Sequence, residues 1–273
     1  MNELLKRSLT GLVFVSLIVL TCLFSFSLLA LLMSFILYLG TIEFSRLLKL
    51  NKAEINLFQF TSVLFYSLII LPVFIDLGNF IHLPFAIVSA GIVILAGLKY
   101  FDLVFGLIYL TFPLALIFFT GTPDYRLENG EWVYNKQFST ELILLTFIFI
   151  WIFDSAAYII GKIFGKNKMA PHISPGKTWE GFLGGFFITI IAAIVICETQ
   201  NISESLLIPI AIITGVFGIL GDLLESAIKR HAQVKDSGKI LPGHGGILDR
   251  FDSVLLVFPI VVSYNYIYIN FIA

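Results

Sequence analysis

Between Glu180 and Glu198 the chain runs without a single charged side chain. A helix needs about 20 mostly apolar residues to cross the hydrocarbon of a bilayer, and eight further stretches approach that length and character. The nine predicted spans are Leu9–Phe24, Ser27–Phe44, Leu57–Ile75, Phe80–Gly97, Phe101–Phe119, Glu141–Ile160, Gly181–Cys197, Leu206–Leu224 and Ile247–Phe271. Only Ser25-Phe26-Ser27 separates the first two. Of the 273 residues, 58% are hydrophobic and 13% charged, whereas soluble domains carry roughly 25% charged residues. Too little polar surface is left to face water. The expected fold class is all-α: a polytopic helical membrane protein with about nine transmembrane helices. It reads as a single integral membrane domain, with five spans in 1–119 and four, carrying the chemistry, in 140–273.

Lys6 and Arg7 precede the first apolar run, as in a secretory signal. That run is long for a signal and lacks a small-x-small cleavage site, so it reads as a retained span. With the N-terminus inside, all of the 17 lysines and arginines except Arg126 and Lys136 fall on inner segments. The positive-inside rule then orients the chain with the N-terminus on the cytoplasmic side and the C-terminus outside, and the cell's inner, cytoplasmic membrane is the expected location. A net charge of −1 leaves no basic face in excess, so no nucleic-acid partner is expected. Cys22 and Cys197 sit in apolar stretches and read as packing residues. In the longest outer loop, Asn129-Gly130 between alternating residues signals a hairpin, with an irregular loop as the equal alternative.

Charges beside the later spans follow a pattern. Asp222, Glu225, Ser226 and Lys229 are spaced to share one helix face. Arg230, Lys235 and Asp236 come next, then a loop ending His244-Gly245-Gly246, then Asp249, Arg250 and Asp252. Glycines let backbone approach a phosphate closely. Carboxylates within spans are costly and mark function. Asp222, Glu225, Asp249 and Asp252 gathered together would repel unless a cation such as Mg²⁺ joined them, while interleaved Lys and Arg suit phosphates. Salt bridges that merely knit helices together are the alternative.

A second cluster follows the sixth span, which carries Asp154 and Tyr158. After Lys162, Lys166 and Lys168 comes Ser174-Pro175-Gly176-Lys177-Thr178-Trp179-Glu180-Gly181. Ser174 reads as an N-cap with proline at the first helical position. The helix start, with Lys177 and Thr178, would then offer an anion site. Gly176-Lys177-Thr178 is not a P-loop, because that motif needs glycine where Pro171 stands and a preceding strand.

From Ser226 to Asp252 the chain resembles the signature of the phosphatidate cytidylyltransferase family: Ser226, Lys229-Arg230, Lys235-Asp236, Gly238, Leu241-Pro242, His244-Gly245-Gly246, Asp249-Arg250 and Asp252. The Ser174–Gly181 stretch is similar to a second family segment, in which members often carry another lysine where this chain has Gly176. The resemblance implies that CTP and phosphatidic acid become CDP-diacylglycerol and pyrophosphate at the bilayer. It further implies Mg²⁺, a second cation such as K⁺, and a homodimer. Asp222, Asp249 and Asp252 are then the expected metal ligands, and with Lys229 and Arg230 they form the expected catalytic set. Ser226, Lys235, Asp236, His244, Gly245, Gly246, Arg250, Ser174, Lys177 and Thr178 are the expected substrate contacts. Another CTP-dependent lipid enzyme, such as a polyprenol-type kinase, and an ion or phosphate transporter are the rival readings.

Overall fold

Hydrocarbon offers no water to backbone amides, so a spanning segment must satisfy its hydrogen bonds internally, as a helix does. The computed structural model describes residues 3–74, 83–120, 124–128, 131–240 and 245–272. Among them the helices are α1 (Glu3–Phe24), α2 (Phe26–Leu47), α3 (Lys52–Phe74), α4 (Leu83–Gly97), α5 (Phe101–Phe119), α6 (Lys136–Phe164), α7 (Trp179–Gln200), α8 (Glu204–His231) and α9 (Leu248–Ile267). Among the described residues seven helices are long and apolar enough to cross a membrane, and Leu9–Phe24 and Ile87–Gly97 are shorter apolar helices. The chain is an all-α polytopic membrane protein, with a helix at each expected span.

Local chemistry sets the boundaries. Ser25 leaves helical geometry, and its Oγ accepts from the Leu28 amide at 3.4 Å, so one residue suffices to end α1 and cap α2. At the start of α3, Asn51 Oδ1 accepts from the Ala53 and Glu54 amides at 3.0 Å, and Glu54 answers by accepting from the Asn51 amide at 2.8 Å. This reciprocal pairing is a capping box. In α5 a π-helical stretch, Leu107–Thr111, precedes Pro113. Proline has no amide to continue the ladder, and the widened turn accommodates it.

The chain folds into two units, one of 1–119 with 236–250 and one of 120–235 with 251–273. Chain order places 236–250 among the later spans, yet this segment packs in the first unit. That unit's core is aromatic: Phe44 lies 5.5 Å from Tyr109, 5.8 Å from Phe105 and 6.1 Å from Phe58, ring centre to ring centre. Such pairs add about 0.5–1.5 kcal/mol each beyond area burial.

In the second unit α6 and α7 meet along small residues. A Cβ on Gly181 would lie 2.7 Å from the Ala157 carbonyl oxygen and 3.0 Å from Gly161 Cα, the close backbone approach that small side chains permit within a membrane. Strands β1 (Asp124–Glu128) and β2 (Glu131–Asn135) pair antiparallel, with Glu128 opposite Glu131. This is the hairpin expected there, although Asn129 and Gly130 lie outside the described residues.

The expectation of a helix opening at Ser174 is overturned, and a strand does precede Pro171, so that the proline alone now excludes the P-loop. Ser174 is not an N-cap, and Pro175 does not open a helix. β3 (Lys168–Ala170) and β4 (Ser174–Thr178) form an antiparallel hairpin, with Ala170 opposite Ser174 and Lys168 opposite Thr178. Proline drives the residue before it towards extended backbone, and β3 supplies a partner for that extended chain. The helix start moves to Trp179, where Thr178 Oγ1 caps α7 by accepting from the Gly181 amide at 3.2 Å. Glu180, in the first turn, accepts from the Lys166 amide at 3.1 Å and from Asn167 Nδ2 at 2.6 Å, fixing the start of the hairpin.

Candidate active site

In the second unit, the candidate residues gather at the crossing of α8 and α9. A Cβ on Gly221 would stand 2.5 Å from the Asp252 carbonyl oxygen and 3.1 Å from Ser253 Cα, so only glycine fits. Ser253 Oγ donates to the Gly218 carbonyl at 3.1 Å one turn earlier on α8. Asp222, next to Gly221, is thereby carried towards Asp252, whose carboxylate lies in the field of Asp222, Glu225 and Asp154. Acids on α6 and α8 thus lie within electrostatic reach of Asp252.

Cations answer them. Lys177, on β4, forms an ion pair with Asp222. Ser226 Oγ donates to Asp222 Oδ1 at 3.3 Å. One turn along α8, Lys229 Nζ donates to Glu225 Oε2 at 2.5 Å, and both residues are buried. Arg230 is exposed and donates from Nε to the Ile173 carbonyl at 3.2 Å and from Nη1 to the Val234 carbonyl at 2.8 Å. It ties the end of α8 to the turn of the β3–β4 hairpin. Thr178 is buried and occupied as the α7 cap.

The first unit holds the glycine-rich loop. Asp249, in the first turn of α9, accepts through Oδ2 from the Gly246 amide at 2.8 Å, the Ser237 amide at 3.0 Å and Ser237 Oγ at 3.1 Å. Gly245 has φ +80°, a left-handed conformation that glycine adopts without penalty. Lys235 of the second unit and Asp236 and Arg250 of the first are exposed. His244 lies outside the described residues.

Sequence reasoning missed Glu43 of α2. It is 0% exposed, and its Oε2 accepts from the Leu248 amide at 3.0 Å and from Ser237 Oγ at 3.1 Å. The signal was available, since a carboxylate inside an apolar span is costly enough to demand a reason.

Among the described residues no three His, Cys, Asp or Glu side chains converge as a closed metal cage. Mg²⁺ seldom uses one. It binds through one or two carboxylates and completes its shell with substrate phosphates and water. Hard oxygen donors at Asp222 and Asp252 fit that habit.

The family model described as the cytidylyltransferase family matches residues 5–268. Among curated proteins, this chain is 54% identical over 121 residues to the phosphatidate cytidylyltransferase of Staphylococcus saprophyticus. It is 52% identical to that of Staphylococcus haemolyticus and 50% to that of Staphylococcus aureus strain COL over the same length. Each match covers 44% of this chain and 46% of the relative. The chain therefore spans less than half the length of these relatives.

Proposed function

The chain belongs to the cytidylyltransferase family, and from that premise we propose that it makes CDP-diacylglycerol from CTP and phosphatidate. A phosphatidate oxygen attacks the α-phosphorus of CTP, and the bond to pyrophosphate breaks. Both reactants are anionic, so charge neutralisation is the central problem, as in phosphoryl transfer generally. The observation that carries this reading is the meeting of Lys177, Asp222 and Ser226 beside the α8–α9 crossing that bears Asp252.

Asp222 and Asp252 are the proposed holders of Mg²⁺, with Asp249 joining on its spacing from Asp252 in the sequence. When bound, the ion neutralises the triphosphate and polarises the reacting phosphorus. Lys177 exchanges its carboxylate partner for a substrate phosphate. Lys235 and Arg250, both exposed, add cationic contacts, and Ser226 orients the Asp222 carboxylate. No covalent nucleophile is needed. A second cation such as K⁺ and a homodimer belong to the same proposal, supported by the family resemblance. The distribution of lysine and arginine supports this chemistry lying on the cytoplasmic face, and the cytoplasmic membrane is the proposed location.

The test is a detergent assay of the purified chain with labelled CTP, phosphatidate and Mg²⁺. Labelled CDP-diacylglycerol is the expected product. If label enters lipid only when a lipid alcohol replaces phosphatidate, the chain is a kinase-type enzyme instead.

A further inference from the structure

Glu43 sits on α2, far in sequence from the motif residues, yet it is the buried centre of the loop that carries them. Its Oε2 accepts from the Leu248 amide at the start of α9 and from the hydroxyl of Ser237. Ser237 Oγ is also 3.1 Å from Asp249 Oδ2. A hydroxyl has one hydrogen, so the two carboxylates share a single donor. The loop's glycines close over the same group. A Cβ on Gly246 would lie 2.6 Å from Glu43 Oε1, and one on Gly238 would lie 2.6 Å from the Glu43 carboxyl carbon. Ser237, Gly238, Gly246 and Leu248 are therefore all gathered on one acidic side chain that solvent does not reach.

Burying a carboxylate costs several kcal/mol unless hydrogen bonds repay it. A glutamine or an apolar side chain would suit an ordinary helix contact. A carboxylate that accepts from both ends of one loop fixes the separation of those ends. We propose that Glu43 is a positioning residue for cytidylyl transfer, acting through Ser237 and the Leu248 amide to hold the glycine-rich loop and Asp249 in their working geometry. The inference rests on the reading that this loop takes part in the reaction. It gives the N-terminal helices a part in the chemistry, although they carry none of the motif residues.

The test compares the unmodified chain with Glu43→Gln, Ser237→Ala and the double variant, each purified and checked for folding by its melting transition. Hydrogen–deuterium exchange read by mass spectrometry should show exchange in 237–248 rising by about tenfold or more in Glu43→Gln, with α7 peptides unchanged. Turnover per folded molecule should fall by about 10- to 100-fold, with KM for CTP moving little, as when a transition-state geometry is lost. The double variant should lose little more than Glu43→Gln alone, because the Ser237 hydroxyl is one of the two donors through which Glu43 acts. Unchanged loop exchange with unchanged turnover overturns the proposal, as does an exchange increase spread evenly over the chain. If Glu43→Gln does not fold, Ser237→Ala alone must show the local exchange and the lost turnover, and normal behaviour there overturns it equally. Failure of the unmodified chain to use CTP refutes the reaction reading instead, and the exchange experiment still decides whether Glu43 anchors the loop.

Discussion

Lys177 of β4 and Asp222 of α8 form an ion pair, which fixes the hairpin between α6 and α7 to the helix carrying the acidic face. Arg230 makes the second tie by donating to the Ile173 carbonyl. With these two contacts the hairpin is held at the C-terminal half of α8, where Asp222, Ser226 and Lys229 project. The lysine side chain is only slightly exposed and the aspartate one-third exposed. Under the proposed reaction, that partial access would let a charged substrate compete for the lysine, and it limits what the resting pair adds to stability.

Lys177→Ala should therefore act on substrate more than on folding. Losing one charge-assisted contact to a phosphate costs about 1.5–3 kcal/mol, or about 10- to 100-fold in kcat/KM at about 1.4 kcal/mol per tenfold. The Mg²⁺ concentration for half-maximal rate should not rise, because the variant frees Asp222 rather than removing it. Steady-state assays across CTP and Mg²⁺ concentrations check both statements. A large increase in the Mg²⁺ requirement with normal CTP dependence would reverse the assignment.

Asp252→Asn and Asp249→Asn should each cut turnover by about 100-fold or more, the scale of losing a preorganised electrostatic contact. Both asparagines keep an acceptor of similar shape, so folding in detergent should persist. Near-normal rates in both variants at saturating Mg²⁺ would remove the metal assignment.

Much of this architecture was legible because the bilayer imposes a coarse code, in which length and apolarity select helices. The one-residue break at Ser25 was readable to within a few positions from its serines. Ser174-Pro175 was not, because the same dipeptide suits an N-cap or a strand, and the choice depended on β3 lying alongside. The acidic face of α8 followed from helical spacing, and the Glu225–Lys229 and Asp222–Ser226 contacts realise it. The partners of Lys177 and Glu43 depend on tertiary packing between distant segments, and no local pattern encodes that. Glu43 was conspicuous as a charge inside a span, but nothing nearby in the chain names the loop it serves.

The buried Glu225–Lys229 pair separates structural from catalytic cost. Lys229→Ala leaves a buried carboxylate without its cation, a loss of about 3–5 kcal/mol in comparable cases. The melting transition in detergent should drop accordingly. Glu225→Gln combined with Lys229→Gln removes both charges and should recover most of the melting temperature. If activity returns with stability, Lys229 is a structural partner of Glu225. Lost activity with restored stability is the expected result and assigns Lys229 to the substrate's phosphates.

Sidedness supplies the last prediction. CTP is a highly charged solute that does not cross hydrocarbon, so the face bearing the motif residues must be the face where the nucleotide is present. Under the positive-inside reading, the segments from Lys162 to Glu180 and from Asp222 to Asp252 lie on the cytoplasmic side or at the cytoplasmic ends of spans. That reading uses lysine and arginine positions alone, so it is independent of the family assignment. Inverted vesicles from cells expressing the chain, given external CTP and Mg²⁺, should make CDP-diacylglycerol. Sealed right-side-out vesicles should stay inactive until they are permeabilised, because their cytoplasmic face is enclosed. Activity confined to sealed right-side-out vesicles would place the motif residues on the opposite face and show that the assigned orientation, with its inner N-terminus, is wrong.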